Sequence, residues 1–202
     1  VLRKPRDFEA GYPGHCVALD TIERHIRGAR RYVITFEDLY TRYAFAWGTK
    51  SHASQAAKEF FQICLAIFPF PIAFVLTDNG SEFMKEFSKE LKRLHLIHYH
   101  TYPKTPTMNA HVERFNRTIQ EDFVDYHAEE LLVPDVFNRK LIDWLVWYNT
   151  ERVHFAFQNK LSPVQFLMNL PRSAQEKLPA ECKSGWPHTL TCNFLNGAVF
   201  LN

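Results

Sequence analysis

The chain has 202 residues, of which 46% are hydrophobic and 23% are charged, and its net charge is +2. These proportions are those of a folded protein and exclude disordered and fibrous classes. No apolar run reaches the ~18 residues that a membrane-spanning helix requires, so no membrane partner is expected. The four cysteines lack CxxC spacing, which argues against a zinc ribbon and a disulfide framework. Because the sequence begins without Met, we expect it to be a fragment of a longer protein.

The first part of the chain predicts an arm followed by strands. Residues 1–14 are charged and rich in turn-forming residues, so we expect an N-terminal arm or linker there. Apolar residues then alternate or run together in three segments, which predict strands at 15–22, 30–38 and 43–49. Gly28 separates the first two strands, and we expect the three to form an antiparallel meander.

The middle of the chain predicts a crossover connection. Apolar residues recur at helical spacing over 52–68, with Ser51 as the expected N-cap. The apolar run at 72–80 is typical of a central strand buried on both faces. Because a helix precedes this strand, we expect it to lie parallel to the first strand. A helix over 83–94 and a fifth strand at 96–100 complete a mixed five-stranded sheet in an α/β fold with flanking helices.

The C-terminal half predicts helices. One begins near Asn109, after a proline-containing loop at 101–110, and another covers 134–149. Ser162 to Gln165 has the form of a capping box with proline at the first helical position, which predicts a short helix. Beyond residue 171 the pattern fades. We therefore predict a core domain at 15–170 and a C-terminal extension of unclear structure at 171–202.

Three carboxylates have positions that suggest a joint role. Asp20 is the only charged residue in the first predicted strand, and Asp78 ends the most apolar one. If these strands are neighbours, their carboxylates meet at one edge of the sheet, while Glu113 lies on the helix after the proline-containing loop. Taken singly, each is more often a turn residue or a solvated residue. Together they form an oxygen-rich site that suits Mg²⁺ or Mn²⁺ better than zinc.

Long motifs carry these residues in unbroken order from about residue 10 to residue 168. They are GHCVALDTI, VLTDNGSEF, PKTPTMNAHVERFNRTIQEDF, WLVWYNTERVHFAF and LSPVQFL. They closely resemble the catalytic core of bacterial insertion-sequence transposases related to retroviral integrases. The resemblance implies a ribonuclease H-like fold with a DDE triad at Asp20, Asp78 and Glu113. We also expect Gly80 to permit a tight turn that directs Asp78 towards the metals.

The resemblance also suggests DNA contacts. Asn116 and Arg117 occupy motif positions near the triad, and a phosphate contact and a surface charge are both compatible with Arg117. Many relatives have Lys where this chain has Gln120, which would make that contact weaker and uncharged. Around the Gly28 turn, arginines are compatible with a phosphate-binding hairpin tip or with a solvated turn. The expected DNA-binding residues are Asn116, Arg117, Gln120, Lys104, Arg27 and Arg30.

The resemblance implies a bacterial, cytoplasmic DNA transposase or integrase core that acts at the nucleoid. Two Mg²⁺ or Mn²⁺ ions would support cleavage at the element's 3′ end and then strand transfer into target DNA. The expected partners are transposon ends, target DNA and further copies of the chain. Two alternatives stay open: a catalytically silent DNA-binding or dimerisation module, and an RNA-cutting nuclease on the same fold. The intact triad argues against the first, and the motif from Pro103 to Phe123 argues against the second.

Overall fold

A computed structural model of the chain describes residues 2–5, 7–102 and 110–178. Six strands form one mixed sheet in the order β1-β6-β5-β2-β3-β4. The strands are β1 (Leu2–Arg3), β2 (Cys16–Ile26), β3 (Ala29–Asp38), β4 (Ala44–Thr49), β5 (Phe74–Thr77) and β6 (Ile97–His100). The predicted meander is confirmed, because β2 pairs with β3 and β3 with β4, both antiparallel.

The predicted count of five strands is wrong, since a sixth strand lies within the expected arm. Leu2 and Arg3 pair in parallel with Tyr99 and His100 at the edge of the sheet. Two residues are too few to show an alternating pattern, and only the open edge of β6 gives them a partner. Phe8, further along the expected arm, packs against a small core cluster that contains Cys16 and Leu76.

Helices cover both faces of the sheet. They are α1 (Ser54–Ile67), α2 (Lys85–Arg93), α3 (Ala110–Ile119), α4 (Pro134–Thr150), α5 (Pro163–Met168) and α6 (Arg172–Gln175). Single turns of 3₁₀ helix lie at Ser81–Phe83, Ala128–Leu132 and Phe155–Phe157, and Gln120–Val124 continues α3 as a π-helix. On one face, α1, α2, α5 and α6 enclose the larger core cluster, in which Ala174 and Leu178 are also buried. On the other face, α3 and α4 pack over a second cluster.

Side-chain hydrogen bonds lie at or just before the N-termini of α5 and α1. In α5 the predicted capping box is confirmed, because Ser162 Oγ accepts from the Gln165 N–H at 3.3 Å and Gln165 Oε1 accepts from the Ser162 N–H at 2.9 Å. The prediction of Ser51 as the N-cap of α1 is wrong, since Ala53 holds that position. Ser51 Oγ instead accepts from the Ala53 N–H, because the chain makes an additional turn after β4.

Two asparagines on α4 protect the edge strand β4. Asn138 accepts from the Gly48 N–H at 2.7 Å and donates to its carbonyl at 2.9 Å. Asn149 makes the same pair of bonds with Ala44, at 3.0 and 2.9 Å. An edge strand exposes unpaired backbone groups that favour aggregation. The two amides satisfy those groups and fix α4 against the sheet.

Gly48→Ala is expected to destabilise this junction by about 1–3 kcal/mol, the usual range for overpacking a core. A Cβ at this position would come within 2.7 Å of both Leu131 Cδ1 and Phe137 Cδ1. Urea unfolding measures the loss. Gly11→Ala serves as the control, because the nearest atom to its added Cβ would be 3.6 Å away. Equal stability of the two variants would contradict the tight packing of α4 on β4.

Candidate active site

Asp20 lies on β2 and Asp78 directly follows β5, the neighbouring parallel strand, as the sequence predicted. Ala18 of β2 pairs with Leu76 of β5, and each aspartate stands two residues further along the chain. Adjacent strands are about 5 Å apart, so the two carboxylates extend from neighbouring backbone positions at one end of the sheet. Ala18 and Ile22 pack on the face covered by α3. Because strand residues alternate between faces, Asp20 points towards α3 as well.

Hydrogen bonds fix the Asp20 carboxylate. Its Oδ1 accepts from the Thr21 N–H at 2.8 Å, and its Oδ2 accepts from Asn116 Nδ2 at 2.7 Å. Asn116 is itself held, because its Oδ1 accepts from Thr35 Oγ1 at 2.8 Å. Gln120 donates to the Asn116 carbonyl at 2.7 Å. In this structure Asn116 is 7% exposed and connects α3 to the carboxylate.

The turn after β5 brings two further carboxylates close together. Asp78 Oδ1 accepts from the Gly80 N–H at 2.8 Å. A Cβ on Gly80 would lie 2.9 Å from that oxygen and 2.5 Å from Glu82 Oε2. The φ angle of Gly80 is −59°, which any residue can adopt, so the turn does not depend on the conformational freedom of glycine. A side chain at position 80 would instead require the Asp78 and Glu82 carboxylates to shift.

Glu82 is a site residue that the sequence reasoning missed. It lies in the 3₁₀ turn after Gly80 and is 5% exposed. Its Oε1 is 3.0 Å from His52 Nε2, while its Oε2 is buried without a hydrogen-bond partner among the described residues. A buried carboxylate oxygen without a partner is costly. The available signal was an acidic residue only four positions after Asp78.

The negative charge of the site acts on Asp20. Burial raises the pKa of its carboxyl to about 7, the Thr21 N–H opposes the shift, and the charges of Asp78, Glu82 and Glu113 add to it. Glu113 itself is exposed in the first turn of α3. Within the described ranges, no three His, Cys, Asp or Glu side chains are grouped closely enough to hold a metal ion. The third carboxylate is therefore near enough to influence Asp20 electrostatically but does not close the triad.

The other predicted DNA-binding residues occupy separate places. Arg117 is exposed on α3, and Lys104 lies outside the described residues. Arg27 Nε is 2.8 Å from Glu129, and Arg30 Nε is 3.8 Å from Glu23. Both arginines lie at the far end of the β2–β3 hairpin, about 20 Å along the strand from Asp20.

None of the helices in the described part of the chain is long and apolar enough to span a membrane. Two family models, both described as integrase core domain, match the sequence, one over residues 12–106 and one over 95–161. A putative integrase, ORF3, of Spiroplasma virus SpV1-C74 is 30% identical over 156 residues. That match covers 69% of this chain and 42% of the relative, so the chain spans less than half of the relative's length.

Solved structures share the fold. A chain of the simian T-cell lymphotropic virus intasome structure, determined in complex with PP2A regulatory subunit B56 gamma, superposes with a TM-score of 0.67 at 18% identity. The match covers 85% of this chain and 60% of that chain. The HTLV-2 integrase catalytic core domain in complex with magnesium, in its dimeric form, gives 0.58 at 19% identity, with 77% and 98% covered.

The expected ribonuclease H-like fold is therefore confirmed by the retroviral integrase cores that share it. The two family matches together span residues 12–161, which include Asp20, Asp78 and Glu113. The chain belongs to the integrase core family.

Proposed function

We propose that this chain is a DNA transposase or integrase core that cleaves DNA strands and transfers them with the help of divalent metal ions. The observation that carries the proposal is the proximity of Asp20, on β2, and Asp78, at the end of the neighbouring strand β5, beneath the helix that bears Glu113. Asn116 anchors that helix to the Asp20 carboxylate. The bacterial setting, the nucleoid and the transposon ends rest on the sequence resemblance.

The residues present fit Mg²⁺ or Mn²⁺. The candidate ligands are all carboxylate oxygens, which these cations prefer over nitrogen or sulfur. Asp20 is buried near other carboxylates, which makes its ionised form unfavourable and raises the pKa of its carboxyl. A nearby cation would stabilise the ionised form. Asp20, Asp78 and Glu113 would hold two ions, and the magnesium complex of the HTLV-2 core domain supports this choice of metal.

The bound ions would activate the attacking oxygen and stabilise the leaving oxygen of the phosphodiester. The protein's part is to fix the ligands. Thr21 and Asn116 orient the two oxygens of Asp20, and the Gly80 N–H orients Asp78. Water and then a DNA 3′-hydroxyl would serve as attacking groups, so the reaction requires no side-chain nucleophile.

The partners we propose are DNA and further copies of this chain. The related structures include an intasome and a dimeric core domain, which supports assembly into oligomers on DNA. The intact set of Asp20, Asp78 and Glu113 favours catalysis over the alternative of a catalytically silent DNA-binding or dimerisation module, since binding alone requires no such set of acids.

Mn²⁺ titration by calorimetry or paramagnetic NMR broadening tests the proposal. Wild-type protein is expected to bind Mn²⁺ and Asp78→Asn to lose that binding, because a metal-facing carboxylate is gone. Asp143→Asn is the matched control, since Asp143 is exposed on α4, away from the two aspartates. With Mn²⁺, wild type and Asp143→Asn should nick DNA, whereas Asp78→Asn should not. Absence of both Mn²⁺ binding and nicking, with DNA binding retained, would favour the silent module.

Residues 1–202 alone are expected to bind DNA weakly and without sequence preference. The net charge is only +2, and Arg27 and Arg30 already lie beside carboxylates. Fluorescence anisotropy with unrelated duplexes should give similar affinities, which fall steeply between about 50 and about 200 mM salt as phosphate contacts are screened. Tight, sequence-selective binding at the higher salt concentration would contradict this prediction.

A further inference from the structure

A cavity of about 570 Å³ lies on the other side of α3 from Glu113. It is enclosed by the end of β3, by α3 and by the segment that follows α4. His111, Arg114 and Thr118 line it from α3, whereas Glu113 and Arg117 occupy the opposite flank of the same helix. The residues that matter most for its chemistry are Glu37, Arg42, Arg114, Arg152, His154 and Phe155.

The floor of the cavity presents two buried polar side chains, each with one atom that lacks a hydrogen-bond partner among the described residues. Glu37 is 3% exposed and His154 is 7% exposed. Glu37 Oε2 and His154 Nε2 have no hydrogen-bond partner among the described residues. Leaving such groups unsatisfied costs about 1–3 kcal/mol each. A ligand that carries hydrogen-bonding groups on one edge would remove that cost.

The wall and rim carry positive charge and aromatic rings. Arg42 Nη1 is also buried without a hydrogen-bond partner in the described part of the chain. Arg114 lies over the Phe155 ring at 5.9 Å, and Phe155 is 75% exposed. Arg152 lies over the Tyr148 ring at 5.6 Å and 3.7 Å from Asp122. The three arginines outnumber the two nearby carboxylates, Asp122 and the buried Glu37, so the cavity carries a net positive charge that favours an anion.

Burial and these arginines also keep the histidines of the cavity neutral. The pKa of His154 falls to about 4, first by burial and then by the charge of Arg152. The pKa of His111 falls to about 4 by burial and by the charge of Arg42. A neutral imidazole can donate at one nitrogen and accept at the other. His154 has a hydrogen bond with the Tyr148 backbone, so its unpartnered Nε2 offers a ligand one further hydrogen bond.

A ligand that fits has an anionic end, a flat face and an edge with hydrogen-bond donors and acceptors. We propose that this cavity binds one unpaired nucleotide, with its phosphate at Arg114 and Arg152, its base on Phe155 and its base edge at Glu37 and His154. The volume lies within the usual range of ligand pockets, about 300–1,000 Å³. Above about pH 7, where Glu37 is ionised, its carboxylate accepts from the amino groups of bases, so guanine, cytosine and adenine are favoured over thymine.

The cavity and the candidate active site lie on opposite flanks of α3 and are linked by residues beneath this helix. Glu37 lies two residues from Thr35 on the same face of β3, about 7 Å away, and Thr35 bonds to the Asn116 that holds Asp20. An unpaired nucleotide of a DNA strand bound at the carboxylates would therefore be within reach. The inference that the nucleotide belongs to a DNA substrate rests on the proposed function. A free mononucleotide offers the same chemistry, and the experiment separates the two sources.

The test measures binding without divalent metal, by fluorescence anisotropy of duplexes that carry one unpaired dG, dC or dT. Phe155→Ala should weaken binding of the unpaired dG duplex about tenfold, as expected for loss of one stacking contact. Tyr126→Ala is the matched control, because Tyr126 is 80% exposed and lies outside the cavity. Glu37→Gln should reduce the preference for dG over dT. Thermal melting of each variant verifies that it is folded.

Equal binding by Phe155→Ala and Tyr126→Ala, or no preference among the bases, would overturn the proposal. Displacement of the duplex by dGMP at comparable concentration would identify a free nucleotide as the ligand, and its failure would identify the DNA strand. Measuring DNA nicking by the wild-type protein alongside its binding keeps the two hypotheses apart. Phe155-dependent binding in a protein that never nicks DNA would leave the cavity assignment standing while the proposed function fails.

Discussion

Glu113→Gln is expected to abolish DNA nicking and strand transfer while the protein stays folded. The substitution keeps the size of the side chain and suits a helix, but it removes one of the negative charges that two neighbouring cations require. Metal ions lower such barriers by several kcal/mol, so the expected loss is about 10³-fold or more in rate. Because Glu113 is exposed in the first turn of α3, its unfolding free energy should change by less than about 1 kcal/mol.

Two measurements on the full-length protein check this expectation. The rate of DNA nicking with Mg²⁺ or Mn²⁺ measures catalysis, and the melting temperature without metal measures the stability of the fold. Glu121→Gln is the control, because Glu121 is exposed just beyond α3 and should retain full activity. Unchanged nicking by Glu113→Gln would remove this carboxylate from the mechanism. A large drop in melting temperature without metal would instead indicate a structural ion pair.

The sequence allowed prediction of the features that follow from local periodicity. The parallel pairing of the strand that holds Asp20 with the strand that Asp78 follows was predicted from two apolar runs and a connecting helix, and the structure confirms this pairing. The capping box at Ser162 followed from four consecutive residues and is also confirmed. Such signals are contained in short segments, so no knowledge of tertiary contacts was needed.

Features that depend on tertiary partners escaped prediction. The two-residue strand β1 exists only because β6 offers it an edge. Asn116 was expected to face DNA, but its amide lies between Asp20 and Thr35, residues far from it in sequence. In the sequence, nothing distinguishes Glu82 and Glu37 from exposed charged residues. Their burial results from how the β5 turn and α3 pack, which periodicity does not encode.

Glu37→Gln is expected to stabilise the protein above neutral pH and to leave its stability unchanged at pH 4. Burial raises the pKa of the Glu37 carboxyl to about 7; the positive charges of Arg42 and Arg114 oppose the shift, and the charge of Asp38 adds to it. The ordinary value in the unfolded chain is 4.5. Between these values the folded protein keeps a proton that the unfolded chain has lost. Stability therefore falls as pH rises from about 4.5 to about 7.

The size of the effect follows from the pKa difference. Each pKa unit corresponds to about 1.4 kcal/mol, so the ionised carboxyl costs about 3 kcal/mol at pH 8. Glutamine remains neutral and avoids this cost, which should raise the melting temperature by about 5–10 °C for a chain of this size. Asp20 and Asp38 have raised pKa values in the same range of pH, but both proteins contain them. The difference between wild type and variant therefore isolates Glu37.

Urea unfolding of wild type, Glu37→Gln and the Glu121→Gln control at pH 4, 6 and 8 makes the measurement. The difference in unfolding free energy between wild type and Glu37→Gln should grow as the pH rises, while Glu121→Gln should match wild type at each pH. The opposite result, a variant less stable at pH 8, would mean that Glu37 is ionised and paired with Arg42 or Arg114, because removing one partner of a buried ion pair strands the other. The present geometry favours the first outcome, since Glu37 Oε2 and Arg42 Nη1 are both buried without hydrogen-bond partners among the described residues.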